Sequence, residues 1–101
     1  MNDNQTGAQM LTFSDGSTLD PAIVLYIMMR RNYAEFHLAG GKTKDARVTM
    51  AQLEARLGED FVKIHRSTLV SVRAIHDVTD TVNLNNGETL NYVASKKAWL
   101  Q

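Results

Sequence analysis

The stretch Phe61-Val62-Lys63-Ile64-His65-Arg66-Ser67-Thr68-Leu69-Val70-Ser71-Val72-Arg73-Ala74-Ile75 decides how this chain is read. Residues 61–66 keep a strand-like alternation. The residues that follow break the rhythm at the Ser67-Thr68 pair, and 67–72 are expected to form one helical turn. Lys63, His65, Arg66 and Arg73 stand among apolar anchors. A catalytic segment would need a clustered nucleophile, base or metal set, and none is written here. Cations on a rigid apolar frame suit phosphates and base edges instead.

Working outward, 101 residues make one domain, and 44% hydrophobic content supports one small core. The chain has no cysteine, which excludes a disulfide frame and a thiolate zinc site and fits a reducing cytoplasm. The first seven residues are polar and lack the basic and apolar regions of a signal peptide. The longest apolar run, 22–29, is eight residues, far short of the ~20 that span a membrane. Residues 1–9 are expected to form a disordered N-terminal tail, and 10–101 the folded domain.

Lys and Arg number 11, as do Asp and Glu, so the formal charge is zero. The distribution is uneven. Residues 28–75 hold nine cations and five anions, a net +4, while the rest holds Lys96 and Lys97 against six anions. A middle of that charge can present a basic face; the competing reading is a set of scattered, solvated charges.

The turn Asp15-Gly16 closes a small hairpin between 11–13 and 18–19. Pro21 is expected to start the next strand, with 23–29 as a central strand. Residues 33–38 and 44–48 read as strands joined by the turn Ala39-Gly40-Gly41-Lys42. Residues 49–58 are the clearest helix: Thr49 and Gln52 form a capping-box pair, Met50, Leu53 and Leu57 share a face, and Gly58 stops it. Strands follow at 61–66, 75–79, 82–84 and 89–93, the last two joined by Asn85-Asn86-Gly87. Ser95 is expected to cap a last short helix, 96–100.

No enzymatic or metal chemistry emerges. His37, His65 and His76 match no ligand spacing and read as structural, with His37 and His65 satisfied by backbone partners. Ser67 with His65 and Asp60 lacks the glycines of a nucleophile elbow. Gly40-Gly41-Lys42-Thr43 lacks the strand-to-helix context of a phosphate loop. Asp77 and Asp80 beside His76 read as a surface turn. Met28, Met29 and Met50 read as core filler, and Trp99 as closing the core. No catalytic residue, metal or cofactor is expected.

One family pattern is visible across this order. Phe61, Ile64-His65-Arg66-Ser67, Leu69-Val70 and Ile75 resemble the signature of the LytTR family of bacterial transcription regulators. Asn32-Tyr33, the helix segment Val48-Thr49-Met50 to Leu57, the hairpin Leu84 to Leu90 and the closing Ser95-Lys96-Lys97 resemble its other elements in order. The likeness spans roughly residues 10–100. It implies a mainly β fold, an elongated stack of short antiparallel sheets with one or two short helices. It also implies binding to double-stranded DNA by sheet-edge loops that enter successive major grooves. Asn32, Arg66 and Lys96 would contact bases; Arg31, Lys63, Arg73 and Lys97 would contact the backbone. His65 and Ser67 would orient the loop. Ser71 stands where the family usually has Asn, and Lys96 where it usually has Arg. The expectation is a stand-alone regulator without a receiver domain, bound as two copies on direct repeats, with a membrane-bound inhibitory partner as a further candidate. The alternative is a protein-interaction module on the same scaffold without DNA binding.

Overall fold

The computed structural model describes residues 10–92. The expected N-terminal tail, the closing helix, Trp99, Lys96 and Lys97 lie outside them. Strands β1 (Leu11–Thr12) and β2 (Thr18–Leu19) form the first hairpin. Its turn is held by the Asp15 carboxylate, which accepts from the Ser17 amide at 2.9 Å and the Ser17 hydroxyl at 2.6 Å. Strands β3 (Val24–Met29), β4 (Ala34–Leu38) and β5 (Thr43–Ala46) follow. Next come helix α1 (Met50–Leu57), β6 (Phe61–His65) and β7 (Thr68–Ser71). The chain continues through β8 (Ile75–Val78), β9 (Val82–Leu84) and β10 (Thr89–Leu90).

The main sheet runs β5-β4-β3-β7-β6, antiparallel at every pairing. A second sheet runs β10-β9-β8. On one face of the main sheet, Ile27, Phe36, Phe61 and Leu69 pack with the first hairpin's Leu11 and Leu19 and with Leu53 and Leu57 of α1. On the other face, Tyr26, Ile64 and Val70 pack with Val82 and Leu84 of the second sheet. The fold is thus a layered stack: hairpin and helix, main sheet, second sheet. Two register shifts in the main sheet, between Val24 and Tyr26 and between Lys63 and His65, and one in the second, between Ile75 and Asp77, interrupt the regular pairing.

The capping box is present as expected. The Thr49 hydroxyl accepts from the Gln52 amide at 3.1 Å, and the Gln52 side chain accepts from the Thr49 amide at 2.9 Å. Gly58 ends α1 at φ 56°, a conformation that favours glycine.

Two elements differ from expectation. Residues 67–72 form no helical turn: Thr68–Ser71 is a strand paired with both β3 and β6, and all four of its residues are buried. A strand covered on both faces loses the alternation that would reveal it, so Thr68-Leu69-Val70-Ser71 carries no period of two. The turn of helix comes later, as a 3-10 turn at Val72–Ala74. Likewise Pro21 does not begin a strand. It opens a 3-10 turn, Pro21–Ile23, whose first free amide, on Ala22, is taken by the Asp20 side chain. Proline's fixed φ and missing amide suit the first residue of a helical turn.

Phe36 is fully buried and meets Phe13 edge to face, ring centroids 5.5 Å apart. Phe36→Ala is expected to cost about 3–5 kcal/mol. Urea unfolding should show a lowered midpoint at unchanged slope; a loss under about 1 kcal/mol would contradict its central place in the first core.

Candidate nucleic-acid interface

Antiparallel pairing decides which loops meet. β3 ends at Met29, whose amide donates to the Ser67 carbonyl at 2.7 Å. This bond puts the β6–β7 turn, Arg66-Ser67, beside the β3–β4 connection, residues 30–33. That connection is closed by the Arg30 amide donating to the Tyr33 carbonyl at 2.8 Å. Ala34 pairs with Ala46, so Arg47 leaves the sheet at the same end. Arg30, Arg31, Asn32, Arg47 and Arg66 are therefore gathered at one end of the main sheet, all exposed.

His65 sets the β6–β7 turn. Its Nδ1 accepts from the Ser67 amide at 3.3 Å and lies 3.1 Å from the Ser67 hydroxyl. Those bonds assign the ring proton to Nε2. The turn that carries Arg66 is thereby closed by its own flanking side chains, as the sequence suggested for His65.

His37 differs from expectation. Its partner is not backbone but the Glu35 carboxylate, at 2.9 Å, and its ring stacks on Tyr26 with centroids 4.2 Å apart. Arg30 also pairs with Glu35, at 2.9 Å. The His37 hydrogen bond, and after it the Arg30 hydrogen bond, hold the Glu35 carboxyl below the usual carboxylate range. Tyr26 in turn donates its hydroxyl to Glu88 at 3.0 Å, across to the second sheet. Burial, reinforced by that bond, pushes the Tyr26 phenol up to about 12.

The sequence-chosen residues separate into groups. Arg31, Asn32 and Arg66 are brought together. Lys63 lies opposite Leu69 on the edge strand β6, half-buried, one pair in from the end. Arg73 is not with them. It lies past the far end of β7, roughly 15–20 Å from Arg66 at about 3.3 Å per residue. There its carbonyl accepts from the Asn85 side chain at 3.0 Å. Lys96 and Lys97 lie outside the described residues. Arg30 and Arg47 were missed. Their signal was position, each standing immediately beyond the last residue of a strand at the same sheet end.

The second sheet carries the opposite charge: residues 76–92 include Asp77, Asp80 and Glu88 and no Lys or Arg. Among the described residues no group of three or more His, Asp or Glu could hold a metal ion. No helix among them is long and apolar enough to cross a membrane.

The described residues thus place a cluster of arginines and one asparagine at one end of a stack of short antiparallel sheets. The family model of the LytTr DNA-binding domain matches residues 15–99. The chain belongs to the LytTR DNA-binding domain family. It is similar in fold to the LytTr DNA-binding domain of a Bacillus cereus protein described as a methyl-accepting/DNA response regulator. That likeness has a TM-score of 0.72 and 17% identity and covers 94% of each chain. No curated protein matches the chain.

Because the Tyr26 pKa is raised from 10 to about 12, its contribution to stability is full below pH 10 and lost as pH rises through 12. An ultraviolet alkaline titration should show one phenol ionising near pH 12, absent in Tyr26→Phe. A late step that survives the substitution would remove Tyr26 from this contact.

Proposed function

We propose that this protein is a sequence-specific, double-stranded DNA-binding transcription regulator that reads major grooves with sheet-edge loops. The observation that carries this reading is the meeting of Arg31, Asn32 and Arg66 through the bond from the Met29 amide to the Ser67 carbonyl. Asparagine can bond bidentately to adenine and arginine to guanine, so Asn32 and Arg66 take the base-reading roles. Arg31, with Arg30 and Arg47 around it, contacts phosphates, which fix register without carrying sequence. Lys63 adds a phosphate contact from the edge strand. Arg73, set apart along the strand direction, reaches the backbone beyond the groove that Arg66 reads. Lys96 supplies a third base contact and Lys97 a backbone contact. At Lys96 a point charge replaces the planar fork of arginine, which makes guanine reading there weaker.

Two copies bind side by side on direct repeats, in the cytoplasm. A membrane-bound partner that withholds the protein from DNA is compatible with this arrangement, because the loops described would be covered without being altered.

The test is site selection from a randomised duplex pool, then anisotropy titrations with the selected duplex and a scrambled one. Arg66→Ala should cost about 1–3 kcal/mol of specific binding and relax preference at one position. Lys63→Ala should weaken both duplexes alike and reduce the salt slope by about 1. Equal affinity of the native protein for both duplexes would sink the sequence-specific reading and favour a protein-interaction module on the same scaffold.

A further inference from the structure

A second site lies on the opposite side of the main sheet from the second sheet. The β1–β2 hairpin and α1 leave between them a cleft of about 280 Å³. Leu11, Phe13, Val48 and Leu53 form the apolar part of its wall, and Arg47, Gln52 and Arg56 are among its polar groups. No acidic residue lines it. Two guanidinium groups, one following β5 and one on α1, thus share one small hollow of mixed polar and apolar character; the carboxylates of Asp15 and Asp45 line the adjoining hollow on the other side of Arg47.

The donors there are not used up. Arg56 gives one bond, to the Thr12 carbonyl at 3.1 Å, from a group with five N–H donors. Among the described residues Arg47 has no carboxylate within ion-pair distance. Guanidinium is the side chain that matches a carboxylate in a planar, two-bond fork. The volume is at the lower edge of the ~300–1,000 Å³ usual for ligand sites, which limits the occupant to a small body. The apolar part of the wall, Leu11, Phe13, Val48 and Leu53, gives a carboxylate's organic body a surface to lie against, which a bare anion would leave uncovered.

We propose that this cleft binds a small organic monocarboxylate with a compact apolar body, its carboxylate between Arg47 and Arg56. The site also has a consequence for regulation, which rests on the DNA-binding reading above. Arg47 lines this cleft and stands at the arginine end of the sheet, so an occupied cleft withdraws one phosphate contact. Coupling of this kind is reciprocal: the ligand weakens DNA, and DNA weakens the ligand.

The experiment titrates 4-methylbenzoate into the free protein by calorimetry, with 4-methylbenzamide and inorganic phosphate as controls. The carboxylate should bind with a Kd on the order of 10⁻⁴ M, as fits so small a ligand. The neutral amide and the bare anion should each bind at least about ten-fold more weakly, and Arg47→Gln and Arg56→Gln should each lower carboxylate affinity about ten-fold. Equal binding of amide and carboxylate, unchanged affinity in both variants, or no binding at all would overturn the site. Because the titration uses free protein, this result is independent of whether an operator exists. Duplex affinity with and without the carboxylate then tests the coupling. A ligand-dependent loss seen in native protein and absent in Arg47→Gln supports it, and an equal loss in both overturns it.

Discussion

The buried strand Thr68–Ser71 is the constraint on which the rest of the molecule depends. It is hydrogen-bonded on both edges, to β3 and to β6, and its side chains alternate between two cores. Leu69 belongs to the core under the hairpin and helix, and Val70 to the core under the second sheet. A slip of one residue would exchange them, placing each side chain in a hollow shaped for the other. Register is therefore fixed from both faces at once. That register also sets the arginine end, because the bond from Met29 to Ser67 continues the ladder directly into the turn that carries Arg66. Core packing and loop placement are here one arrangement.

How much of this could be read from sequence depended on whether a signal was local. The capping box at Thr49 and Gln52, the glycine stop at Gly58 and the Asn86-Gly87 turn are decided within a few residues, and each is found where it was expected. Strand β3, apolar and β-branched, was likewise legible. What failed was decided at a distance. Thr68–Ser71 is a strand because β3 and β6 flank it, and nothing within four residues says so. Asp20 capping a turn at Pro21 competes with a strand start in the sequence; in the fold the pairing with β4 begins only at Val24, opposite Leu38, which leaves Pro21–Ile23 to the capped turn. His37 lies two residues from Glu35 on a strand, so both side chains share a face. The pairing was readable in principle, but an expectation of backbone satisfaction obscured it.

The candidate site was legible in a similar proportion. Arg31, Asn32 and Arg66 stand out because each sits in a short connection within a recognisable motif. Arg30 and Arg47 have no motif. They matter because two antiparallel pairings, Met29 with Ala34 and Ala34 with Ala46, bring three strand ends level. Arg73 shows the converse. It lies within the signature stretch, yet β7 carries the chain away from the arginine end before Arg73 is reached. Proximity in sequence is a poor guide to a shared surface when a strand intervenes.

The zero net charge takes its meaning from this geometry. The sum over the chain hides an uneven placement: Arg30, Arg31, Arg47 and Arg66 gather at one end of the main sheet, while the second sheet carries Asp77, Asp80 and Glu88 and no cation. Stacked sheets lie about 10 Å apart, close to one screening length at 0.1 M salt. A phosphate touching Arg66 meets the arginines at contact distance, whereas anions a layer away act through screening solvent. What neutrality does remove is the long-range field that steers a strongly basic domain to DNA. On the function proposed above, the protein would rely on short-range contacts made after encounter, of which those to base edges distinguish one sequence from another. Glu35 sharpens the same point, because its pairing with Arg30 offsets one cation at the arginine end while holding that side chain in a defined position. On that same proposed function, such an arrangement would exchange general attraction to nucleic acid for an ordered set of donors, which suits a protein that must leave non-specific DNA easily.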